Sequence, residues 1–350
     1  MDNWMIYGAN GYTGELIARE AQRRGLRPVL AGRSRERVER LAGELQLPCR
    51  AFGLDDPAQA AAQVKGMALV LHCAGPFSAT SAPMIEACLA AGAHYLDITG
   101  EIGVFEHAHA QHARAQKAGV VLCPGVGFDV IPTDCVASAL KAALPDATRL
   151  CLGFDSRSGF SPGTAKTSVE GLAQGGKVRR GGRIVSVPHA YRTRRIDFGA
   201  GEKEAMTIPW GDVATAYYST GIPDIEVYIP ASPAMLRNAR LANHLRWLLR
   251  MQPVQQFLKT RIEKSVKGPD EAARKRLPTY VWGEAVNAQG RKKSARIKTA
   301  NGYSLTASGA LAMAEHLLRH QPAAGYRTPS QLAGTDFVTT LPGSGPLVIE

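Results

Sequence analysis

The chain has 350 residues, of which 45% are hydrophobic and 21% are charged. This composition is typical of a globular protein with a full hydrophobic core, and the length favours two domains. No stretch approaches about 18 uncharged apolar residues, and the N-terminus lacks the basic and apolar segments of a signal peptide, so we expect a cytoplasmic protein without a membrane-spanning helix.

The net charge of +12 is unevenly distributed along the chain. Residues 151–300 carry 26 Lys and Arg against 12 Asp and Glu, whereas the segments before and after them are close to neutral. This asymmetry indicates a separate basic unit with an anionic substrate or partner. Nucleic acid is not expected as that partner, because the basic residues are not interleaved with regularly spaced stacking aromatics.

The cysteines and histidines do not indicate a metal site. The six cysteines contain no C-x-x-C pair, so we expect reduced thiols. Among His107, His109 and His112, only the last two share a helix face, and no acidic ligand completes a set. We therefore predict a solvated helix there and no bound metal.

A glycine-rich turn follows the first predicted strand, Trp4-Met5-Ile6-Tyr7, and precedes a segment with helical spacing, Glu15 to Ala21. Its sequence is Gly8-Ala9-Asn10-Gly11-Tyr12-Thr13-Gly14. In a dinucleotide-binding unit, Gly8 would make the tight turn, Gly11 would admit the pyrophosphate, and Gly14 would let the helix pack closely. The helix N-terminus would then attract the phosphates. The spacing is G-x-x-G-x-x-G, and an ordinary turn between a strand and a helix explains the triplet alone equally well.

The second predicted strand ends in Arg33-Ser34, where an NAD-binding unit usually has an acidic residue that binds the ribose hydroxyls. A guanidinium beside a hydroxyl suits a 2′-phosphate, and no carboxylate repels it there. We therefore predict a preference for NADP. The alternative is that these residues are solvated charges at the start of a helix.

Further strand ends supply candidate contacts in chain order. Asp55 follows a third strand and either lies near the adenine or, in the interpretation we prefer, caps a helix. A fourth strand ends in Cys73-Ala74-Gly75-Pro76-Phe77, which we expect to line the nicotinamide ribose. Asp97 and Glu101 follow a fifth strand, and a sixth runs into Pro124-Gly125-Val126-Gly127-Phe128-Asp129. The three carboxylates would anchor ribose or substrate.

The six strands alternate with helices and predict an α/β fold, a Rossmann doubly wound parallel sheet. From about residue 149 the pattern changes, with hairpin signals at Gly181-Gly182 and Gln289-Gly290. We predict a second, α+β domain with a mixed or antiparallel sheet. The predicted domains are 1–134, completed by the tail 303–350 with a short strand near Phe337, and 135–302, a basic substrate or dimerisation domain.

A pair of helices is predicted from Met235 to Met251 and from Val254 to Val266. Leucines form an apolar stripe on the first, and arginines lie on both sides of it. We expect a helix packed on the sheet with solvated arginines. The alternative is a basic lid that contacts a membrane surface or a lipid-bearing carrier.

These motifs together resemble the saccharopine dehydrogenase-like NAD(P)-dependent oxidoreductases, a family that includes trans-acting enoyl reductases of bacterial lipid synthesis. The resemblance covers the first 134 residues. It rests on the glycine turn, Ala31-Gly32-Arg33-Ser34, Cys73 to Phe77, Tyr95 to Glu101 and Pro124 to Asp129, and the tail Gly325-Tyr326-Arg327-Thr328-Pro329 is also similar to the family's C-terminal segment. The lysine-pathway substrate residues of the family cannot be transferred onto the middle of the chain, so saccharopine is not the expected substrate.

The resemblance implies hydride transfer between NADPH and a C=O, C=N or C=C bond of a small or acyl-type anionic substrate. The alternative is a non-catalytic NADP-binding module whose basic face binds a partner or a membrane. A homodimer is a further expectation. The candidate catalytic residues are Asp129, Lys166 and Tyr217. The predicted cofactor-binding residues are Gly8, Asn10, Gly11, Tyr12, Thr13, Gly14, Arg33, Ser34, Asp55, Cys73, Ala74, Gly75, Pro76, Phe77, Asp97 and Gly125.

Overall fold

The computed structural model describes residues 3–159, 161–266 and 268–350, without the side chains of residues 166, 263 and 264. The chain forms two compact units. The first comprises the residues up to Ile131 together with Tyr303–Gly334, and the second comprises Pro132–Gly302 together with Thr335–Glu350.

Strands and helices alternate in the first unit. Its strands are β1 (Trp4–Tyr7), β2 (Val29–Gly32), β3 (Cys49–Ala51), β4 (Leu69–His72), β5 (His94–Asp97), β6 (Val121–Cys123) and β15 (Gly325–Tyr326). Its helices are α1 (Tyr12–Arg23), α2 (Arg35–Leu45), α3 (Pro57–Val64), α4 (Phe77–Ala91), α5 (Ile102–Ala110), α6 (His112–Ala118), α14 (Gly302–Arg319) and α15 (Pro329–Ala333).

These strands form a sheet that is parallel throughout its described residues, in the order β3-β2-β1-β4-β5-β6-β15. The order reverses between β1 and β4, which is the point where a doubly wound sheet opens a ligand crevice. Tyr7 at the end of β1 aligns with Ala31 on one side and His72 on the other. The predicted Rossmann sheet is confirmed.

The core of this unit lies on both faces of the sheet. All residues of β1, β2 and β4 are buried, as expected for largely apolar strands of a parallel sheet covered by helices on each side. Helix α1 buries Ile17, Ala18 and Ala21, whose spacing places them on one helix face. The tail strand β15 is attached to the sheet edge beside β6, where the Tyr326 N–H donates to Nδ1 of His112 at 3.1 Å.

The second unit also combines strands with helices, and most of its strands are longer than those of the first unit. Its strands are β7 (Ala147–Ser156), β8 (Gly176–Arg180), β9 (Arg183–Val187), β10 (Thr193–Asp197), β11 (Glu202–Ile208), β12 (Asp224–Pro230), β13 (Thr279–Asn287), β14 (Lys292–Thr299) and β16 (Val348–Ile349). Its helices are α7 (Ile131–Ala143), α8 (Pro162–Gln174), α9 (Asp212–Thr220), α10 (Pro233–His244), α11 (Arg246–Leu249), α12 (Gln252–Ser265) and α13 (Glu271–Arg276).

The second sheet is mixed, as predicted. Its main path is β10-β11-β12-β7-β13-β14-β16, in which β7 and β12 are parallel and the other neighbours are antiparallel. The predicted hairpins β8–β9 and β13–β14 are both present. Helix α7 packs on this sheet over Gly283, where a Cβ would lie 2.6 Å from Val136 and 2.8 Å from Leu140.

The end of the chain differs from the prediction. Residues 335–350 belong to the second unit, because β16 pairs with β14 and the Glu350 N–H donates to the Ser294 carbonyl at 2.8 Å. Only Tyr303–Gly334 joins the first unit. The predicted strand near Phe337 is instead a 3-10 turn over Phe337–Thr340.

Helices α10, α11 and α12 do not pack on the sheet through a leucine stripe, so that prediction is wrong. None of their described side chains is buried, and Leu241 is 55% exposed. Among the described residues, no helix combines the length and apolar character needed to cross a bilayer.

We predict that Gly14→Ala destabilises the first unit. A Cβ at residue 14 would lie 2.2 Å from the carbonyl oxygen of Gly8, so helix α1 or the turn must move. Such overpacking costs about 1–3 kcal/mol, which thermal unfolding would detect as a lower Tm. The control is Gly43→Ala in α2, where no atom lies within 4 Å and the greater helix propensity of alanine should preserve or raise the Tm. Equal Tm values for both variants would contradict the packing argument.

Candidate dinucleotide-binding site

The turn after β1 is held tightly against its neighbours at Gly8. Gly8 has a φ of +80°, and its N–H donates to the Ala31 carbonyl at 2.7 Å. A Cβ at residue 8 would lie 2.7 Å from the Ala74 nitrogen, in the loop that follows β4. Both the backbone conformation and the close approach therefore require glycine. The loops after β1 and β4 meet at the point where the strand order reverses.

Helix α1 begins directly at this turn. Gly11 is its N-cap residue and offers no side-chain cap, so the first-turn N–H groups, including that of Thr13, have no intrahelical acceptor. Gly14 packs against the Gly8 carbonyl, as described above. Tyr12 contacts Tyr303 edge to face, with ring centroids 5.2 Å apart. This arrangement presents N–H groups and the positive end of a helix dipole, which is how proteins bind phosphate.

The end of β2 places a cation beside the turn. The Asn10 side chain packs against Gly32, because a Cβ at residue 32 would lie only 2.6 Å from the Asn10 Oδ1. Arg33 is exposed and has no ion-pair partner within the described ranges. Ser34 is the N-cap of α2, but its hydroxyl does not cap the helix. Arg37 donates from Nη2 to the Asn10 carbonyl at 3.2 Å.

The loop after β4 is supported from beneath by buried polar groups. Thr80 donates its hydroxyl to the Ala74 carbonyl at 2.6 Å and lies 3.0 Å from Nε2 of His72. The His72 ring packs edge to face on Phe77, with centroids 5.3 Å apart. Burial lowers the pKa of His72 to about 3, so the ring is neutral. Cys73 is buried and its pKa is raised by burial, which makes it an inert thiol.

Asp97 at the end of β5 anchors the loop that follows β6. Its Oδ1 accepts from the N–H groups of Thr99 at 3.0 Å and Gly125 at 2.8 Å, and its Oδ2 accepts from the Tyr95 hydroxyl at 2.6 Å. Burial raises the pKa of Asp97 to about 6, even though these hydrogen bonds act in the opposite direction. Both carboxylate oxygens are thus engaged within the protein, and they position the loop containing Gly125.

Glu101 and Asp129 lie close to one another at the same sheet edge. Glu101 accepts from the N–H groups of Phe77 at 3.0 Å and Ser78 at 2.7 Å, so it closes the N-terminus of α4. Asp129 packs on Gly100, where a Cβ would lie 3.1 Å from its Oδ2. Burial, and secondarily the negative charge of Glu101, raises the pKa of Asp129 to about 7. A carboxyl group that titrates near neutrality can exchange a proton during catalysis.

The remaining predicted residues lie elsewhere. Asp55 does not cap α3, because Asp56 accepts from the N–H groups of Ala58 and Gln59. Asp55 instead lies near the Tyr7 hydroxyl and contributes to raising its pKa to about 12, which is mainly an effect of burial.

Lys166 and Tyr217 belong to the second unit. Lys166 lies in α8, and its side chain is outside the described structure. Tyr217 in α9 packs against Arg179, whose guanidinium carbon is 4.2 Å from the ring centroid. Arg179 is itself buried and donates to the carbonyls of Val213 at 2.8 Å and Gly182 at 2.7 Å. The contacts of Tyr217 are therefore those of a residue that packs a buried arginine.

The prediction from sequence missed His72, Tyr95 and Thr80, which support the predicted loops from inside. For His72 and Tyr95, polar groups within buried strands were the available signal, since such groups must find hydrogen-bond partners. The identity of those partners depends on contacts between strands, which spacing along the chain does not show.

A parallel sheet with this strand order, and a glycine turn at the point of reversal, defines a Rossmann-type dinucleotide-binding domain. Residues 4–123 match the family model described as the saccharopine dehydrogenase NADP binding domain. The resemblance predicted from the motifs is confirmed over the residues that this model covers.

Similar proteins agree with this resemblance. A human protein named saccharopine dehydrogenase-like oxidoreductase is 31% identical over 150 residues, covering 37% of this chain and 35% of that protein. A trans-acting enoyl reductase of Mycobacterium bovis is 29% identical over 206 residues, covering 55% of this chain and 49% of that protein. The chain thus spans between a third and a half of the length of these relatives.

The whole fold has a solved counterpart. The apo saccharopine dehydrogenase (L-Glu forming) of Saccharomyces cerevisiae matches with a TM-score of 0.65 at 9% identity, covering 100% of this chain and 99% of that one. At this identity the match establishes the shared fold.

We predict that Asp129→Asn stabilises the protein more at about pH 8 than at about pH 5. The pKa of Asp129 is raised on folding, so between its unfolded value and about 7 the folded state binds more protons than the unfolded state. Stability therefore falls as pH rises through this window, and asparagine removes that loss. The difference in Tm between variant and parent, measured by differential scanning fluorimetry, should grow with pH.

Asp146→Asn serves as the control. A hydrogen bond from Asn287 lowers the pKa of Asp146, so this carboxyl group stays ionised in the folded and unfolded states at neutral pH, and the Tm difference should stay constant from about pH 5 to about pH 8. A pH-independent effect of Asp129→Asn would show that the carboxyl group is already ionised throughout this range.

Proposed function

We propose that the protein is an NADP-dependent oxidoreductase that transfers hydride between NADPH and a C=O, C=N or C=C bond of a small or acyl-type anionic substrate. The observation that carries the proposal is the exposed Arg33 at the end of β2, beside a glycine turn built for phosphate. NADPH supplies the hydride, and the protein positions cofactor and substrate.

The turn after β1 fits a pyrophosphate. Gly11 leaves the start of α1 uncapped, and Thr13 adds a first-turn N–H and a hydroxyl. A larger residue at Gly8 or Gly14 would collide with backbone atoms, which indicates that the loop is built for close backbone approach. Glu101 occupies the N-terminus of α4, so that helix end does not compete for the phosphates.

The end of β2 fits a 2′-phosphate better than two ribose hydroxyls. Arg33 has no ion-pair partner among the residues that the structure describes, and the neighbouring Ser34 hydroxyl is not used to cap α2. Neither Arg33 nor Ser34 carries a carboxylate. NAD-specific units use a carboxylate at this strand end to bind the ribose hydroxyls. A bidentate guanidinium contact to a phosphate is strong and directional.

The loops after β4, β5 and β6 would form the nicotinamide side of the site. Gly75, Pro76 and Phe77 provide an apolar floor that His72 supports from beneath. Asp129 is the carboxyl group at this edge that is suited to exchange a proton at neutral pH. The positive charge of residues 151–300 is consistent with an anionic substrate.

We predict that NADPH raises the Tm more than NADH does, and that Arg33→Asp removes or reverses this difference. The aspartate would repel the 2′-phosphate and accept from ribose hydroxyls instead. A lost charged contact of this kind weakens NADPH binding by about tenfold or more. Titration of each cofactor by thermal shift measures the effect.

Arg35→Asp is the matched control. Arg35 is equally exposed and two residues away, but it pairs with Glu39 at 3.2 Å within α2. The variant should therefore retain the preference for NADPH. The preference itself would be disproved by equal stabilisation of the parent protein by both cofactors.

We also predict turnover of NADPH with acyl substrates that carry enoyl, imino or carbonyl groups, and a limb near pH 7 in the pH profile of kcat/KM. Asp129→Asn should remove that limb while NADPH binding persists. Absorbance at the NADPH band, followed across a substrate panel, provides the measurement. Tight NADPH binding without turnover of any class would favour a non-catalytic NADP-binding module.

A further inference from the structure

Polar side chains in the segment that forms helices α10, α11 and α12 contact helix α8. Arg246 donates to the Gln174 carbonyl at 2.7 Å, Arg250 to the Ala173 carbonyl at 3.2 Å, and Gln255 to the Val169 carbonyl at 3.2 Å. These acceptors lie in the C-terminal part of α8, whose dipole favours nearby cations. Lys259 also pairs with Glu170 of α8 at 2.5 Å. The helices are therefore attached to the protein through polar contacts.

Many large apolar side chains of these helices and their connections are exposed to solvent. Trp247 is 68% exposed, Phe257 is 64% exposed and Leu241 is 55% exposed. The same helices and their connections expose further large apolar side chains, and we call the whole set the apolar surface: Met235, Leu241, Leu245, Trp247, Leu248, Met251 and Phe257. A concentration of this kind within 23 consecutive residues marks an interaction site.

Positive charge surrounds the apolar surface. From Ala231 to Ile262 the sequence contains six Lys and Arg and no Asp or Glu. Arg237, Arg240 and Arg261 are exposed and have no ion-pair partner within the described ranges. Their helical spacing places Arg237 one turn from Leu241, and Arg261 one turn from Phe257.

We propose that the apolar surface binds an anionic lipid bilayer, with helices α10–α12 lying in the plane of the interface. Exposed apolar side chains enter the boundary between headgroups and acyl chains, and the arginines that flank them contact anionic headgroups. Trp247 suits this depth, because indole rings concentrate at the membrane interface. The surface shares no residue with the proposed cofactor site, so the two proposals stand separately.

Charge favours a bilayer over a second copy of the chain as the occupant. A twofold dimer through this surface would bring the same patch of each copy together. Arg237, Arg240 and Arg261 would then face their own equivalents with no carboxylate between Ala231 and Ile262 to neutralise them. Anionic headgroups provide that neutralisation at every position.

The test is co-sedimentation of the full chain with vesicles of phosphatidylcholine, with and without phosphatidylglycerol, at about 0.15 M salt. We expect binding to the anionic vesicles to be about tenfold tighter or more. Trp247 is the exposed one of the four tryptophans, all of which lie in the described residues, so its emission should shift to shorter wavelength on binding. Trp247→Phe should remove this shift and identify its source.

Three double variants separate the contributions. Arg237→Glu with Arg240→Glu should abolish the preference for anionic vesicles, and Trp247→Ser with Phe257→Ser should weaken binding by tenfold or more. Arg183→Glu with Lys292→Glu changes the net charge equally at exposed sites on β9 and β14 and should leave binding intact. An unchanged far-UV circular dichroism spectrum and a cooperative thermal unfolding transition would show that each variant is folded.

Three results would overturn the proposal. One is equal binding to neutral and anionic vesicles. Another is an equal loss of binding in the Arg183 and Lys292 control, which would indicate attraction by net charge alone. The third is a concentration-dependent dimer in sedimentation that the Trp247 and Phe257 variant abolishes while vesicle binding persists, which would identify a second copy as the occupant.

Discussion

The first unit depends on the close approach of backbone atoms at Gly8. Helix α1 packs against the Gly8 carbonyl through Gly14, and the loop after β4 packs against the Cα of Gly8. Hydrogen bonds to Ala31 hold the same turn to β2. The ends of β1, β2 and β4 are thereby fixed relative to one another, and the proposed phosphate, ribose and nicotinamide contacts all extend from these ends.

Three carboxylates at the neighbouring strand ends have separate structural roles. Asp97 is buried and positions the loop after β6, and Glu101 closes the N-terminus of α4. Asp129 remains beside them with its pKa raised to about 7, because burial and the charge of Glu101 both disfavour ionisation. Two carboxylates thus maintain the geometry in which the third becomes a candidate proton carrier.

Much of the first unit could be predicted because its determinants are local. The glycine turn, the end of β2 and the alternation of strands with helices are short stretches whose meaning depends on adjacent residues. The capping role expected for Asp55 belongs to its neighbour Asp56, an error of one residue at a helix start. The other predictions failed where distant residues decide the outcome. Residues 335–350 join the second unit because β16 finds an edge at β14. Helices α10–α12 have an apolar stripe that resembles a core face, yet the carbonyls of α8 attract their polar side instead.

The sequence by itself determined the order of the strands along the chain, the position of the glycine turn after β1 and the absence of an acidic residue beside Arg33. These features follow from residue types and their spacing, which need no partner to be recognised. Only the tertiary structure decided that both carboxylate oxygens of Asp97 accept hydrogen bonds, that Tyr217 packs on Arg179, and that Leu241, Leu245 and Leu248 are exposed. Each of these depends on which distant atoms satisfy a polar group, because hydrogen bonds and burial are properties of the assembled fold.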